Sequence, residues 1–361
     1  MLNPILEFLK KEKFYSALFV LVLLIYGTAA VLSKNSPAHE SLKDKRSMER
    51  LENQEKAFQA KLRDPVKRAQ FLKEHPAFLN AMQALTVLFF MALLGGLAID
   101  YRLVFQPAFR KKISQESYPE STAWDLAMFV KVVILFLLIS FLLTLVVAGF
   151  KKVFRPQDAS HLYMLTHTIL VNLFGLFFMV YWVRKKGGTV KDLGLRVSSK
   201  GILPEVFSGW LGYAAIVPVF ALTLLGMVVI SNLLSWEPAP HPLVFMFLDD
   251  SGSRFLLIYS LITAVIIGPV MEELFFRGFC YPIFKSRFGP AISAVLTASI
   301  FAVVHANTYA FWPIFVLGLA LGYLYELRKS IVAPMVLHIT HNAVFIGYFL
   351  MAQHLIQRYG S

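Results

Sequence analysis

The sequence predicts an all-α fold, a polytopic bundle of transmembrane helices with an extramembrane helical segment near its N-terminus. Three observations predict it. Hydrophobic residues fill 57% of the 361 positions and charged residues only 16%, where a soluble domain carries about 25% charged residues. The apolar residues gather into about eight or nine runs, and about 20 apolar residues in a helix cross the bilayer core. The basic residues, 35 Lys and Arg against 22 Asp and Glu for a net charge of +13, sit in loops between those runs. Clusters so placed orient helices by the positive-inside rule and meet anionic headgroups. Membrane lipid, and no nucleic acid, is therefore the partner the charge implies.

Taken in order, the chain opens on Lys10, Lys11 and Lys13 before an apolar run over 14–33. That run is longer than the apolar core of a cleaved signal peptide, so 1–33 is read as a retained signal-anchor helix. The segment 34–78 mixes charges of both signs with Leu42, Met48, Leu51, Phe58, Leu62, Val66 and Phe71 at near-helical spacing. It reads as a polar, helical segment outside the membrane, with a face suited to a protein partner or to headgroups, or else as a solvated hairpin. Spans follow at about 79–99, 124–149 and 161–183, so 79–185 is a set of membrane helices whose role no motif identifies. Further spans are read at about 205–233, 255–285, 290–308, 311–326 and 331–352.

With the N-terminus inside, the dense basic stretch over 184–200 also falls inside. The 234–254 loop, with Glu237, Asp249 and Asp250, falls outside. Lys131, His161 and His167 lie near span ends, where snorkelling accounts for them. The single Cys280 excludes an intrachain disulfide and any cysteine-based zinc site.

An ionisable group inside an apolar span costs several kcal/mol unless paired or hydrated, so it reads as functional by default. One run departs from the apolar rule: Gly268-Pro-Val-Met-Glu272-Glu273-Leu-Phe-Phe-Arg277-Gly. Glu273 and Arg277 are i and i+4, on one helix face, while Glu272 points about 100° away. A salt bridge that only fixes packing would account for Glu273 and Arg277, but gives Glu272 no role. The next span ends in Phe301-Ala-Val-Val-His305, after a turn expected at Phe288-Gly289-Pro290. Glu272 lies about 16 residues before that turn and His305 about 15 after it. At about 1.5 Å per residue, antiparallel helices bring the two to similar depth. The last span carries His338-Ile-Thr-His341-Asn342, where His338 and Asn342 share a face as neutral donors suited to an oxyanion. His341 points elsewhere and is expected to pack or to meet the membrane interface.

At these residues the chain resembles the CPBP family of CAAX-protease and bacteriocin-processing proteins, also called Abi. That family's pattern is Glu-Glu-x-x-x-Arg, Phe-x-x-x-His and His-x-x-x-Asn, and all three stand here in order. Asp192-Leu-Gly-Leu-Arg196 and the stretch 278–290 are similar to the family's style, so the resemblance covers about 190–352, within a protease domain assigned to 186–361. It implies an intramembrane endopeptidase acting on a peptide or lipidated protein, with water as nucleophile. Glu272 would activate the water with His305, His338 and Asn342 would hold the oxyanion, and Glu273 and Arg277 would order the site. Eukaryotic members remove a tripeptide from prenylated proteins, while bacterial relatives are linked to bacteriocin maturation and self-immunity. The inner membrane of a prokaryotic cell is the expected location.

No cofactor is expected. A divalent metal such as zinc, held by the glutamates and histidines, is the alternative, although no His-Glu-x-x-His occurs. A non-catalytic scaffold, immunity protein or transporter that uses buried polar residues for packing or ion passage is the rival class.

Overall fold

A computed structural model describes residues 10–35, 42–114, 124–154, 160–196, 201–235 and 254–359. The expected acidic loop with Glu237, Asp249 and Asp250 lies outside the described residues, as does the His161 side chain. The helices are α1 (Lys13–Asn35), α2 (Leu42–Arg63), α3 (Pro65–Glu74), α4 (Pro76–Phe105), α5 (Pro107–Ile113), α6 (Leu126–Phe154) and α7 (Ser160–Lys185). Then come α8 (Leu203–Leu234), α9 (Arg254–Ile262), α10 (Gly268–Glu273), α11 (Tyr281–Val304), α12 (Phe311–Arg328) and α13 (Val332–Tyr359). No strand occurs among the described residues.

Among those residues, six helices are long and apolar enough to cross a membrane, fewer than the eight or nine runs expected. The difference is one of counting. Arg254–Val304 is a single run by this measure, yet Gly289 inside it has φ 75° and ψ 171°, so two helices meet there. Only glycine adopts such a conformation without strain. The first apolar helix, Lys13–Ala29, is shorter than the rest, and α12 has 18 residues ending in Glu326 and Arg328.

The chain divides into two compact units, each built from three separated stretches. The first comprises Met1–Ser41, Pro119–Leu195 and Ser253–Ser293. Here α6 packs on α7 and α1 packs on α6. Asp125 starts α6 by accepting from the Met128 amide at 2.9 Å, which satisfies one of the unpaired donors of a helix start. Lys131 does not simply snorkel. Its Nζ meets Glu12 Oε1 at 2.5 Å and lies 5.1 and 4.9 Å from the Tyr15 and Trp182 ring centres. An ammonium so placed gains a carboxylate and two π faces, which ties α1, α6 and α7 together. His167 Nε2 lies 3.2 Å from Thr144 Oγ1 and 3.1 Å from the Ser140 carbonyl.

The second unit comprises Leu42–Tyr118, Arg196–Gly252 and Ala294–Ser361. Three X-Pro junctions, Asp64-Pro65, His75-Pro76 and Gln106-Pro107, break its N-terminal stretch into α2 to α5. Proline disfavours helical geometry in the residue before it and suits the first helical position. Asp64 caps α3 by accepting from the Val66 and Lys67 amides at 2.9 and 3.1 Å. Of the apolar residues in the polar segment, Phe58 and Phe71 pack with Phe78 and Tyr359, whereas Val66 is exposed.

Helix α8 organises the rest of the second unit through small residues, as close-packed membrane helices do. A Cβ on Gly96 of α4 would stand 2.3 Å from the Ala214 carbonyl oxygen of α8. That carbonyl is the one Pro218 cannot bond, since proline has no N–H. Gly209 lies against Ala333 and Val336 of α13, and Gly212 against Leu324 and Leu337. A buried bidentate pair adds to this: Arg328 Nε and Nη2 donate to Glu205 at 3.0 and 2.6 Å.

Candidate active site

The carboxylate motif belongs to the first unit. Its helix is not a uniform α-helix, as the i, i+4 spacing alone would suggest. Two widened π turns, Thr263–Ile267 and Leu274–Cys280, flank the short α10 that holds Glu272 and Glu273. The first has a local cause. Pro269 lacks an N–H and its ring would strike the Val265 carbonyl in an α-helix. The chain widens instead, and the Gly268 amide reaches the Thr263 carbonyl five residues back.

The second π turn carries Arg277. Its Nη1 donates to Glu273 Oε1 at 2.8 Å, and both side chains are 0% exposed. Glu272 is half-buried, one position along from that pair. Beside it, a Cβ on Gly268 would come within 3.9 Å of Glu272 Oε1.

The surroundings of this turn explain a second sequence signal. A Cβ on Gly278 would sit 2.5 Å from the Leu193 carbonyl oxygen, a backbone atom that cannot step aside. Only glycine therefore lets the 3₁₀ turn Val190–Leu193 rest on the helix behind Arg277. Asp192 closes that turn by accepting from the Thr189 amide and hydroxyl, both at 2.8 Å, and Gly194 leaves it at φ 84°. The Asp192-Leu-Gly stretch is thus a backing for the carboxylate helix. Trp124, which no motif marked, lies on the same turn. It is buried, donates from Nε1 to the Phe279 carbonyl at 3.2 Å and stacks on the Phe279 ring at 6.1 Å.

The histidines and asparagine belong to the second unit. The expected span over 290–308 stops early: α11 ends at Val304, and His305 begins the turn beyond it. Ala306 then takes φ 50°, a left-handed conformation favoured by glycine. His305 Nδ1 lies 2.6 Å from the Phe301 carbonyl. A carbonyl only accepts, so Nδ1 carries the proton and the lone pair of neutral His305 is on Nε2. The Phe301 ring, fully buried, stands edge-on to both imidazoles, 4.8 Å from His305 and 5.7 Å from His338. Phe301 of the Phe-x-x-x-His motif therefore spaces the two histidines as well as anchoring one. Gly318 of α12 admits this packing, since a Cβ there would meet Ala298 at 2.9 Å and Phe301 at 3.4 Å.

His338 is buried and Asn342, one turn on, is half-buried. His341 lies among rings, 4.9 Å from Phe220 and 6.3 Å from Tyr213. It packs, as its position on the helix suggested.

One comparison bears on these residues. Residues 254–344 match the family model of the type II CAAX prenyl endopeptidases, Rce1-like. The Rce1-like segment begins at α9 and runs into α13, and it contains Glu272, Glu273, Arg277, His305, His338 and Asn342. This agrees with the CPBP resemblance read from the three motifs. No curated protein and no solved structure matches the chain. The Rce1-like segment and the six apolar helices together make this an integral, multi-pass membrane protein.

Proposed function

We propose that the chain is an intramembrane endopeptidase that hydrolyses a peptide bond of a lipidated or membrane-associated substrate. Glu272 takes a proton from water, with His305 Nε2 as the second basic group, and the resulting hydroxide attacks the scissile carbonyl. His338 and Asn342 donate to the oxyanion of the tetrahedral intermediate, which then collapses and releases the amine with the proton returned to it. Glu273 and Arg277 neutralise each other and hold the helix that presents Glu272. The name of the matched family directs the substrate class to the C-terminal peptide of prenylated proteins, and the expected location is the inner membrane of a prokaryotic cell. The segment 34–78 is the surface offered to a protein partner.

The observation that carries this reading is the coincidence of all three polar motifs with the Rce1-like segment. The Glu273–Arg277 pair adds to it, since a buried neutral pair beside a second carboxylate supplies a charged group on an oily helix with its counter-ion in place.

The test is cleavage of a fluorogenic prenylated peptide by the purified full chain. Glu272→Gln should lower kcat by about 10²–10⁴-fold, the usual contribution of a general base. Activity equal in wild type and variant on every substrate offered would leave a scaffold or immunity role as the better account. Exhaustive chelation is the companion measurement. Activity that survives it supports the metal-free mechanism, and activity lost and restored by zinc replaces it with metal-assisted hydrolysis.

A further inference from the structure

The second unit contains a cavity whose lining includes no residue of the motifs above. It has a volume of about 430 Å³ and lies among the end of α2, the length of α3, His75 and the last residues of α13. Its floor is aromatic: Phe71 is buried and packs on Tyr359 with ring centres 5.2 Å apart. Its rim is basic. Lys61, Lys67 and Arg358 line it against a single carboxylate, Glu74, which already accepts from Gln70 Nε2 at 2.9 Å. Lys61 Nζ also donates to the Tyr359 carbonyl at 3.0 Å. That bond satisfies one of the unpaired carbonyls at the end of α13 and fixes the helical hairpin of α2 and α3 onto it. Arg358 spreads over the neighbouring Tyr359 ring, its Cζ 5.6 Å from the ring centre, with its charge at the surface.

The position of the cavity narrows what fits it. His75 precedes Pro76, where the apolar helix α4 begins, and Tyr359 is where the apolar helix α13 ends. Two spanning helices thus start and stop at the cavity, which sets it at the depth of the lipid phosphates. Excess positive charge above an aromatic floor at that depth matches a phosphate that carries acyl chains below it.

We propose that this cavity binds the headgroup phosphate of an anionic membrane phospholipid. Lys67 and Arg358 contact the phosphate oxygens, Tyr359 and Phe71 pack against the glycerol and upper acyl carbons, and Lys61 sets the position of the wall. The occupied site braces the hairpin of α2 and α3 against α13.

The experiment titrates the purified full chain in detergent with short-chain phosphatidylglycerol, phosphatidylcholine or inorganic phosphate, and counts bound ligand by native mass spectrometry. Phosphatidylglycerol should be retained and phosphatidylcholine not. The double variant Lys67→Gln/Arg358→Gln should bind phosphatidylglycerol about thirtyfold more weakly, the effect of two basic residues at an anionic surface. Both side chains are exposed, so the fold survives, and an unchanged unfolding curve checks it. Lys73→Gln, an exposed change on α3 outside the cavity lining, should leave binding as it is. Equal binding of the two lipids, or wild-type affinity in the double variant, overturns the proposal. Displacement of the lipid by inorganic phosphate at equal concentration also overturns it, by making the free anion the occupant.

Discussion

Arg277→Met is the most informative perturbation of the carboxylate helix. The Arg277 and Glu273 side chains are both 0% exposed and meet at 2.8 Å, so neither charge is shared with solvent. Removing one partner of such a pair leaves the other buried and uncompensated, which costs about 3–5 kcal/mol. Glu273→Gln should also destabilise, since the guanidinium then depends on the weaker attraction of Glu272. The double variant Glu273→Gln/Arg277→Met removes both charges of the pair and should be more stable than either single variant. The molecule supplies its own reference in Glu52–Lys56, an i, i+4 pair at 2.5 Å with side chains 60% and 69% exposed. Lys56→Met should cost only about 0.3–0.5 kcal/mol, because solvent screens that pair. Reversible unfolding of the full chain in bicelles reads all four variants. Single-variant costs below about 1 kcal/mol, or a double variant that costs the sum of the singles, would show that water reaches the pair. The neutralised-pair argument would then fail.

Three further outcomes follow from backbone geometry. Gly278→Ala forces a Cβ to within 2.5 Å of the Leu193 carbonyl and should cost about 1–3 kcal/mol in the same assay. Gly347→Ala in α13, with nothing within 4 Å, should be neutral or stabilising; equal effects would mean that the 3₁₀ turn does not rest on the π turn. Ala306→Gly should stabilise by about 1 kcal/mol, since alanine at φ 50° carries a left-handed conformation that glycine adopts freely. Destabilisation on thermal or bicelle unfolding would show that the His305 turn is not strained.

The all-helical class was legible because composition and run length follow directly from what a bilayer accepts. The Phe288-Gly289-Pro290 turn was legible because its Gly-Pro pair follows the basic residues Lys285 and Arg287, whereas the Gly268-Pro269 pair follows apolar residues only, and Gly289 does take φ 75°. The π turns were not legible. Pro269 announces a disturbed helix, but proline can kink, break or widen one, and the choice depends on which carbonyls neighbouring elements can satisfy. The early end of α11 was hidden too: Val304, His305 and Ala306 have no helix-stopping residue among them, and the stop rests on a strained alanine. Lys131 read as a snorkelling lysine because its partners Glu12, Tyr15 and Trp182 come from elements distant in sequence. Pairings of that kind leave no periodicity to detect.

Helices α1, α6 and α7 showed no motif, yet they share a unit with the carboxylate helix. Trp124 holds the Phe279 carbonyl, and Phe129 of α6 packs on Phe275 and Phe284, 6.4 and 5.4 Å away between ring centres. These contacts fall on the second π turn and just beyond it, so they bear on where Arg277 sits. A π turn leaves backbone groups displaced from their α-helical partners, and in an apolar interior each must find another or cost several kcal/mol. The indole of Trp124 is one such partner, and it lies outside the Rce1-like segment. A match that begins at residue 254 thus covers the three polar motifs, while the geometry of the Glu273–Arg277 pair depends also on helices that the match does not reach.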